Sequence, residues 1–295
     1  MLAQQRDGEL RSLIVCADDF GLDPAVNEAV EKAHRHGILT TASLMVGAPA
    51  AAEAVARARR MPDLRVGLHL VLIDGHPTLR CAEIPGLVQH DGRFGQNMAR
   101  AGIRFFFLSQ VRLQLASEIR AQFEAFRATG LRLDHVNTHK HIHVHPVIAA
   151  MLIEIGRDYG MKSVRVPSEP AETLRAVFPE EHYAVPFYRP WIERLRRRLR
   201  GAGLFVNDQV FGLAWSGNFD EERWLRLIPH LPPGVTEIYL HPATGRTPAL
   251  VAAMPGYHQE QELASLLSPA VQSRIAASGV TLASYSDLVT TPAKI

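Results

Sequence analysis

Short apolar runs of strand length, each followed by a helix-patterned stretch, recur along this chain, and no other feature limits its fold as strongly. Leu13, Ile14, Val15, Cys16 and Ala17 form an unbroken apolar run, as expected for a strand covered on both faces. Runs near 42–46, 66–70, 134–138, 163–166, 236–240 and 281–284 also read as strands. Helical patterns fit 50–60, 109–128 and 146–159. Before them a first helix has its own punctuation: Asp23 to cap, Pro24 to open, Val26, Ala29, Val30 and Ala33 as apolar face, Gly37 to end it. Strand–helix units in series join by right-handed crossovers into a parallel sheet. The expected fold is α/β, a closed or nearly closed β/α barrel of about seven parallel strands, with an open doubly wound sheet as the alternative.

Two stretches break the alternation. Residues 74–108 carry Pro77, Pro85, Gly86, Gly92, Gly95 and Gly102; residues 167–219 are proline-rich early and arginine-rich late. Both read as rim insertions within a single domain spanning 1–295. Composition excludes several classes. At 47% hydrophobic and 21% charged residues, the chain is neither a disordered polymer nor a collagen-like or coiled-coil fibre. A net charge of +2 and the lack of a recognised motif argue against a nucleic-acid partner. Cys16 and Cys81 are too few for a disulfide framework or a thiolate metal site, so free thiols in a reducing cytoplasm are expected. Residues 1–12 are polar, and no run of 18 apolar residues suits a membrane span.

The chemistry concentrates at strand ends, which face the binding crevice in β/α folds. Asp18 and Asp19 close the first strand. They suit a polar turn, or a pair in which one ligates a cation while its neighbour takes a proton. His69, in Gly67-Leu68-His69-Leu70, is alone a hydrogen-bonded core histidine or a ligand. Fourteen histidines are present, and His135, His139, His141, His143 and His145 cluster. In an extended chain, His139, His141, His143 and Asn137 share one face. Residues two apart on a strand lie roughly 6.6–6.8 Å from each other, so one or two of these histidines at most would reach one ion. His241 closes the 236–240 run, as a rim residue or as a general acid. Carboxylates and histidines from four strand ends compose a mononuclear hydrolytic metal site. No Gly-x-Ser-x-Gly elbow or Walker loop competes with it.

These residues carry a resemblance. Ala17-Asp18-Asp19-Phe20-Gly21-Leu22, Gly67-Leu68-His69, the run from Asp134 to His143 and His241-Pro242 together resemble the YdjC-like carbohydrate deacetylases, which include chito-oligosaccharide deacetylase. Segments 68–75, 104–108 and 137–146 look like the hopanoid-biosynthesis-associated branch. The resemblance implies a distorted β/α barrel and a metal-dependent N-deacetylase acting on an acetylated amino sugar or glycolipid. By position, Asp19, His69 and His139 would hold one divalent ion, zinc or magnesium. Asp18 would be the base toward the attacking water, and His241 would protonate the departing amine. Asn137, His141 and His143 would support the ligands or meet the sugar. Asn137 departs from the family, which often has aspartate there; an amide orients neighbours but carries no charge.

Residues 191–200 place Trp191, Ile192, Leu195 and Leu199 on one helical stripe with arginines around it. The plain reading is a solvated helix packed on the barrel or at a homodimer interface; the functional one is peripheral contact with an anionic membrane. Residues 105–108 read as core of the first insertion, or as an apolar lip to that contact. Other functions compatible with such a rim are a phosphoesterase, a sugar isomerase, or a carbohydrate or lipid carrier without turnover.

Overall fold

The structure is a computed structural model describing residues 10–183 and 189–289; the start of the chain and 184–188 of the second insertion lie outside the described residues. Seven strands form one sheet: β1 (Arg11–Phe20), β2 (Thr41–Leu44), β3 (Arg65–Leu70), β4 (Leu133–Thr138), β5 (Gln209–Phe211), β6 (Gly234–Leu240) and β7 (Thr281–Leu282). Their order is β4-β3-β2-β1-β6-β5, with β7 beside β1, and every pairing is parallel. The sheet curls into a half-barrel with helices around it, as the alternation predicts. β1 is central, and its apolar residues from Leu13 to Ala17 have no exposed surface.

One expected strand is replaced by another. Residues 163–166 pair only through isolated bridges, Val136 with Val164 and Ser163 with Phe205. Pro167 follows and offers no N–H, and the Asn207 side chain takes the place of a neighbouring strand. Its Oδ1 accepts from Val166 N at 2.7 Å and its Nδ2 donates to Val166 O at 2.9 Å. β5 lies instead inside 167–219, so that stretch is not wholly an excursion from the barrel. Val210 N donates to Ser168 O, and Arg165 N to Val136 O, so 163–168 bridges the interval between β4 and β5.

The first helix, α1 (Pro24–His36), follows its punctuation: Asp23 accepts from Ala25 N at 2.8 Å and Gly37 ends it. After α2 (Ala51–Ala58), the first insertion runs into α3 (Met98–Phe107) and α4 (Ser109–Ala128). Buried Glu118 of α4 accepts from Thr78 N and Leu79 N, pinning the insertion over the rim. Then come α5 (Pro146–Asp158), α6 (Ala171–Val177) and α7 (Arg189–Gly201). The apolar stripe of α7 is used internally: Ile192, Leu195 and Leu199 are buried, and only Trp191 of the stripe is exposed. Among the described residues no helix is long and apolar enough to cross a membrane.

Candidate active site

Neighbouring side chains on a regular strand face opposite ways. Asp18 and Asp19 nevertheless open onto one cavity of about 510 Å³, shared with His69, His139, His141 and His241. The reason is local. The β1–β2 register breaks between Ala17 and Phe20, and Asp19 has φ 63°, in the left-handed region that aspartate enters more readily than most residues. This irregularity turns both carboxylates to the same side.

Register brings the next residue in. His69 on β3 pairs with Asn137 on β4. His69 Nδ1 lies 2.7 Å from Asn137 Oδ1, and an amide oxygen only accepts, so Nδ1 carries the proton. Nε2 lies 3.3 Å from Asp19 Oδ1 and 3.3 Å from His139 Nδ1. Burial works against a charge on this ring, but Asp18 and Asp19 raise its pKa. Whenever the ring is neutral, the proton on Nδ1 leaves Nε2 as the free electron pair. His139 Nδ1 is 3.4 Å from the same Asp19 oxygen. Asp19 is buried, yet neither of its oxygens has a hydrogen-bond partner among the described residues. Burial alone would raise its pKa; His139 and His69 outweigh that and hold it well below the carboxylate range.

This trio fits a cation. A tetrahedral centre with bonds of about 2.0–2.1 Å has ligand-to-ligand edges of about 3.3–3.4 Å, and the three observed separations are 3.3, 3.3 and 3.4 Å. The Asn137 bond behind His69 fixes the tautomer that a ligand needs. A second cluster, Cys16, His135 and Glu237, brings donor atoms within 4.8 Å of one another but does not fit. Glu237 is bonded to Arg165 and Tyr285, and burial together with the Asp18 charge pushes the Cys16 thiol well up, away from the thiolate a metal requires.

Asp18 is the most heavily held group in the cavity. Arg165 donates to Oδ2 at 2.6 Å and to Oδ1 at 2.9 Å; Ser43 Oγ and Asn137 Nδ2 donate to Oδ1 at 2.8 and 3.0 Å. Burial works against its charge, but Arg165 first and His69 next keep its pKa far below the usual range. Four donors crowd Oδ1, the Cys16 thiol at 3.6 Å included, and one reaches Oδ2, so Oδ2 keeps acceptor capacity.

The histidine run does not stay extended. β4 ends at Thr138, and His139–Val144 forms a 3₁₀ segment with a kink at Lys140 and His141, whose φ values are 53° and 52°. The expected shared face of alternating histidines is therefore corrected, and the side chains disperse. His135 stacks on Tyr285 and bonds Asp134 beneath the site. His139 joins the donor trio. His141 lines the cavity with Nε2 3.1 Å from Tyr239 Oη, and burial holds its pKa well below the histidine range. His143 lies off the cavity wall, fully buried, with Nδ1 2.6 Å from Thr138 Oγ1 and Nε2 donating to Arg165 O at 2.8 Å. It supports the backbone that carries Arg165. His145 meets Phe105 and Phe106 of α3.

His241 faces the cavity from the end of β6, between the rings of Tyr239 and Tyr257. Burial lowers its pKa, Asp19 and Asp18 work in the opposite direction, and its Nδ1 is buried without a hydrogen-bond partner. Its backbone N–H donates to Glu262 Oε2 at 2.6 Å, so a buried carboxyl from the helix Gln259–Leu267 sets where the imidazole sits.

Sequence reasoning missed Arg165, Glu237, Ser43 and Glu262. For the first two a signal was present: Arg165 lies in Ser163-Val164-Arg165-Val166 and Glu237 in Thr236-Glu237-Ile238, charges inside apolar strand patterns. Such charges stay buried only when paired. Here each is the other's partner, with Arg165 donating to Glu237 at 2.8 and 2.9 Å. Ser43 and Glu262 carry no sequence signal apart from their contacts.

Comparison with known proteins covers nearly the whole chain. A family model described as YdjC-like protein matches residues 12–277. A carbohydrate deacetylase of Vibrio vulnificus (strain CMCP6) is 31% identical over 294 residues, covering 95% of this chain and 97% of that protein. A carbohydrate deacetylase of Geobacillus stearothermophilus is 30% identical over 279 residues, 94% of this chain and 98% of that one. Among solved structures, an Enterococcus faecalis V583 protein named for cellobiose-phosphate cleavage superposes with a TM-score of 0.74 at 25% identity, over 95% of this chain and 99% of that one.

Proposed function

The chain belongs to the YdjC-like protein family, and from that premise we propose that it is a metal-dependent hydrolase removing the N-acetyl group of an amino sugar. The observation that carries this reading is the Asp19–His69–His139 trio, its first two members buried and His139 partly so, with edges of 3.3–3.4 Å and unbonded carboxylate oxygens, in one cavity with Asp18 and His241. The relatives named carbohydrate deacetylases support the substrate class. Asp19, His69 and His139 would hold one divalent ion. Two imidazoles beside one carboxylate and the tetrahedral edges favour zinc over magnesium. When bound, the ion supplies Lewis acidity, lowering the pKa of water and drawing charge from a carbonyl oxygen.

The rest of the chemistry falls to this chain's side chains. Asp18 Oδ2 accepts the proton of the water whose oxygen attacks the acetamide carbon. Arg165, Ser43 and Asn137 keep that carboxylate ionised and aimed. Its low pKa makes it a weak base, so the water must already be acidified when the proton moves. His241 is neutral at rest because burial disfavours its charge. It must take up a proton before it can give one to the departing nitrogen, and the nearby Asp18 and Asp19 charges make that step less costly. As the C–N bond breaks, the nitrogen gains this proton, and the products are acetate and a free amino sugar. Leu22, Met45, Val71 and Met254 on the cavity wall offer apolar surface to the sugar ring and the acetyl methyl.

The decisive experiment incubates purified protein, chelated and then reloaded with zinc or magnesium, with N-acetylated chito-oligosaccharides and with an N-acetylated aminoglycolipid. Acetate and free amine should appear in equal amounts only with metal and not in D18N. Comparing the two substrates separates a soluble from a lipid-linked acceptor. Release of phosphate from sugar phosphates without acetate, or acetate release that ignores chelation, would overturn the reading.

A further inference from the structure

Of the eleven large hydrophobic side chains exposed among the described residues, six lie within sixteen residues: Met98, Ile103, Phe106, Phe107, Leu108 and Leu113. Ile103 is 62%, Phe107 71% and Leu113 64% exposed, on the outer face of α3 and the first turns of α4. Phe105 alone of the aromatic triplet is buried, so the expectation that 105–108 forms insertion core holds for one residue only. Along the segment that carries the patch the charge is one-signed, with Asp91 of the adjoining cleft just before it. From Gly92 to Ser117 the chain has no aspartate or glutamate and carries Arg93, Arg100, Arg104 and Arg112. Among the described residues none of these four arginines forms an ion pair.

The arginine-rich helix borders the same face. Phe105 and Phe106 meet His145 edge-on at 6.2 and 6.1 Å, and Arg198 of α7 donates to the next residue's carbonyl, Pro146 O, at 3.0 Å. Arg194 and Arg197 are exposed on α7, and Trp191 is 49% exposed. A cleft of about 1020 Å³ opens behind α3, walled by Leu72, Ile73 and Phe105 and edged by Arg100 and Arg104. The apolar element on this surface is therefore α3, not the stripe of α7, which is packed inward.

We propose that this face docks on an anionic lipid surface, with Ile103, Phe106 and Phe107 entering the interfacial layer and the arginines on the headgroups. Exposed apolar side chains flanked by more arginines than carboxylates, Asp91 and Glu193 being the acidic neighbours, match that environment. A two-fold contact with a second copy would instead set the same unpaired arginines against each other. The segment from His139 to His145 joins the catalytic cavity to this patch, so docking would hold the cavity mouth beside the membrane. The proposal does not depend on which reaction the site performs.

The test is flotation of the full-length protein with vesicles of phosphatidylcholine alone, or of phosphatidylcholine with phosphatidylglycerol, at low and high salt. Binding should favour the anionic vesicles by about tenfold or more and weaken with salt. F106S/F107S should lose about tenfold of that binding while keeping the wild-type melting temperature and cavity-dependent activity. R104Q/R112Q should weaken it with a shallower salt dependence. Failure to prefer anionic vesicles, or binding unchanged in F106S/F107S, would overturn the proposal. So would light scattering that shows a dimer lost in F106S/F107S, which would assign the patch to a second copy.

Discussion

Asn137 donates through Nδ2 to Oδ1 of Asp18 at 3.0 Å, and that bond decides which end of the amide faces His69. The oxygen is left to accept from His69 Nδ1 at 2.7 Å. One side chain thus orients the proposed ligand His69 and the proposed base Asp18 together. A carboxylate at this position could accept from His69 but could not donate to Asp18. N137A should therefore lower metal affinity by about 10–100-fold and reduce kcat as well. N137D should keep affinity close to wild type and lose kcat alone. Metal titration by calorimetry beside acetate kinetics separates the two; equal metal affinity in N137A and wild type would contradict the tether.

As a proposed metal ligand, Asp19 would exchange stability for cation binding. Its carboxylate is buried, unbonded and at φ 63°. Asparagine tolerates the same backbone and carries no charge. In chelated protein at alkaline pH, D19N should be more stable than wild type by about 1–3 kcal/mol. Added zinc should raise the melting temperature of wild type by mass action and leave D19N nearly unmoved. A chelated D19N that melts below wild type at that pH would mean that Asp19 is satisfied by the protein itself.

Glu262 makes a pH-dependent contribution. Burial pushes its pKa up to about 8, while the N–H groups of Phe219 and His241 pull it down. A folded-state pKa above the unfolded one means that its contribution is full at low pH and is lost as pH rises from the ordinary carboxylate range through about 8. E262Q cannot ionise, so the stability difference between wild type and E262Q should move toward the variant across that window. The amide also faces one backbone N–H with its own donor, which frees the His241 backbone, so kcat should fall at every pH. Parallel pH–stability curves for the two proteins would refute the ionisation.

What could be read in advance follows from which forces are local. The α1 caps and the strand-end positions of Asp18, His69 and His241 are encoded by neighbouring residues and by the alternation, so they were legible. The kink at Lys140 and His141 was not: neither is glycine, and both left-handed backbones exist because the tertiary structure holds them there. Kinked or extended, the run contributes one histidine, His139, to the candidate donor trio, within the limit that strand spacing sets. The exchange of residues 163–166 for β5 turned on Asn207, forty-one positions away from Val166, and no periodicity reports such a partner.

The buried chain Asp18–Arg165–Glu237 is the remaining point at which stability and catalysis can be told apart. Arg165 has no exposed surface and divides four charged hydrogen bonds between the two carboxylates, and Tyr285 Oη donates to Glu237 Oε2 at 2.7 Å. Methionine matches much of its volume but leaves both carboxylates uncompensated. R165M should cost about 3–5 kcal/mol and abolish turnover. If the cost is charge and not packing, removing the stranded carboxylates should recover it. The triple variant R165M/D18N/E237Q should then regain most of the lost stability on chemical denaturation while remaining inactive, because D18N removes the proposed base. A triple variant no more stable than R165M would show that Arg165 matters here as filler, and Asp18 would need another explanation for its fixed orientation.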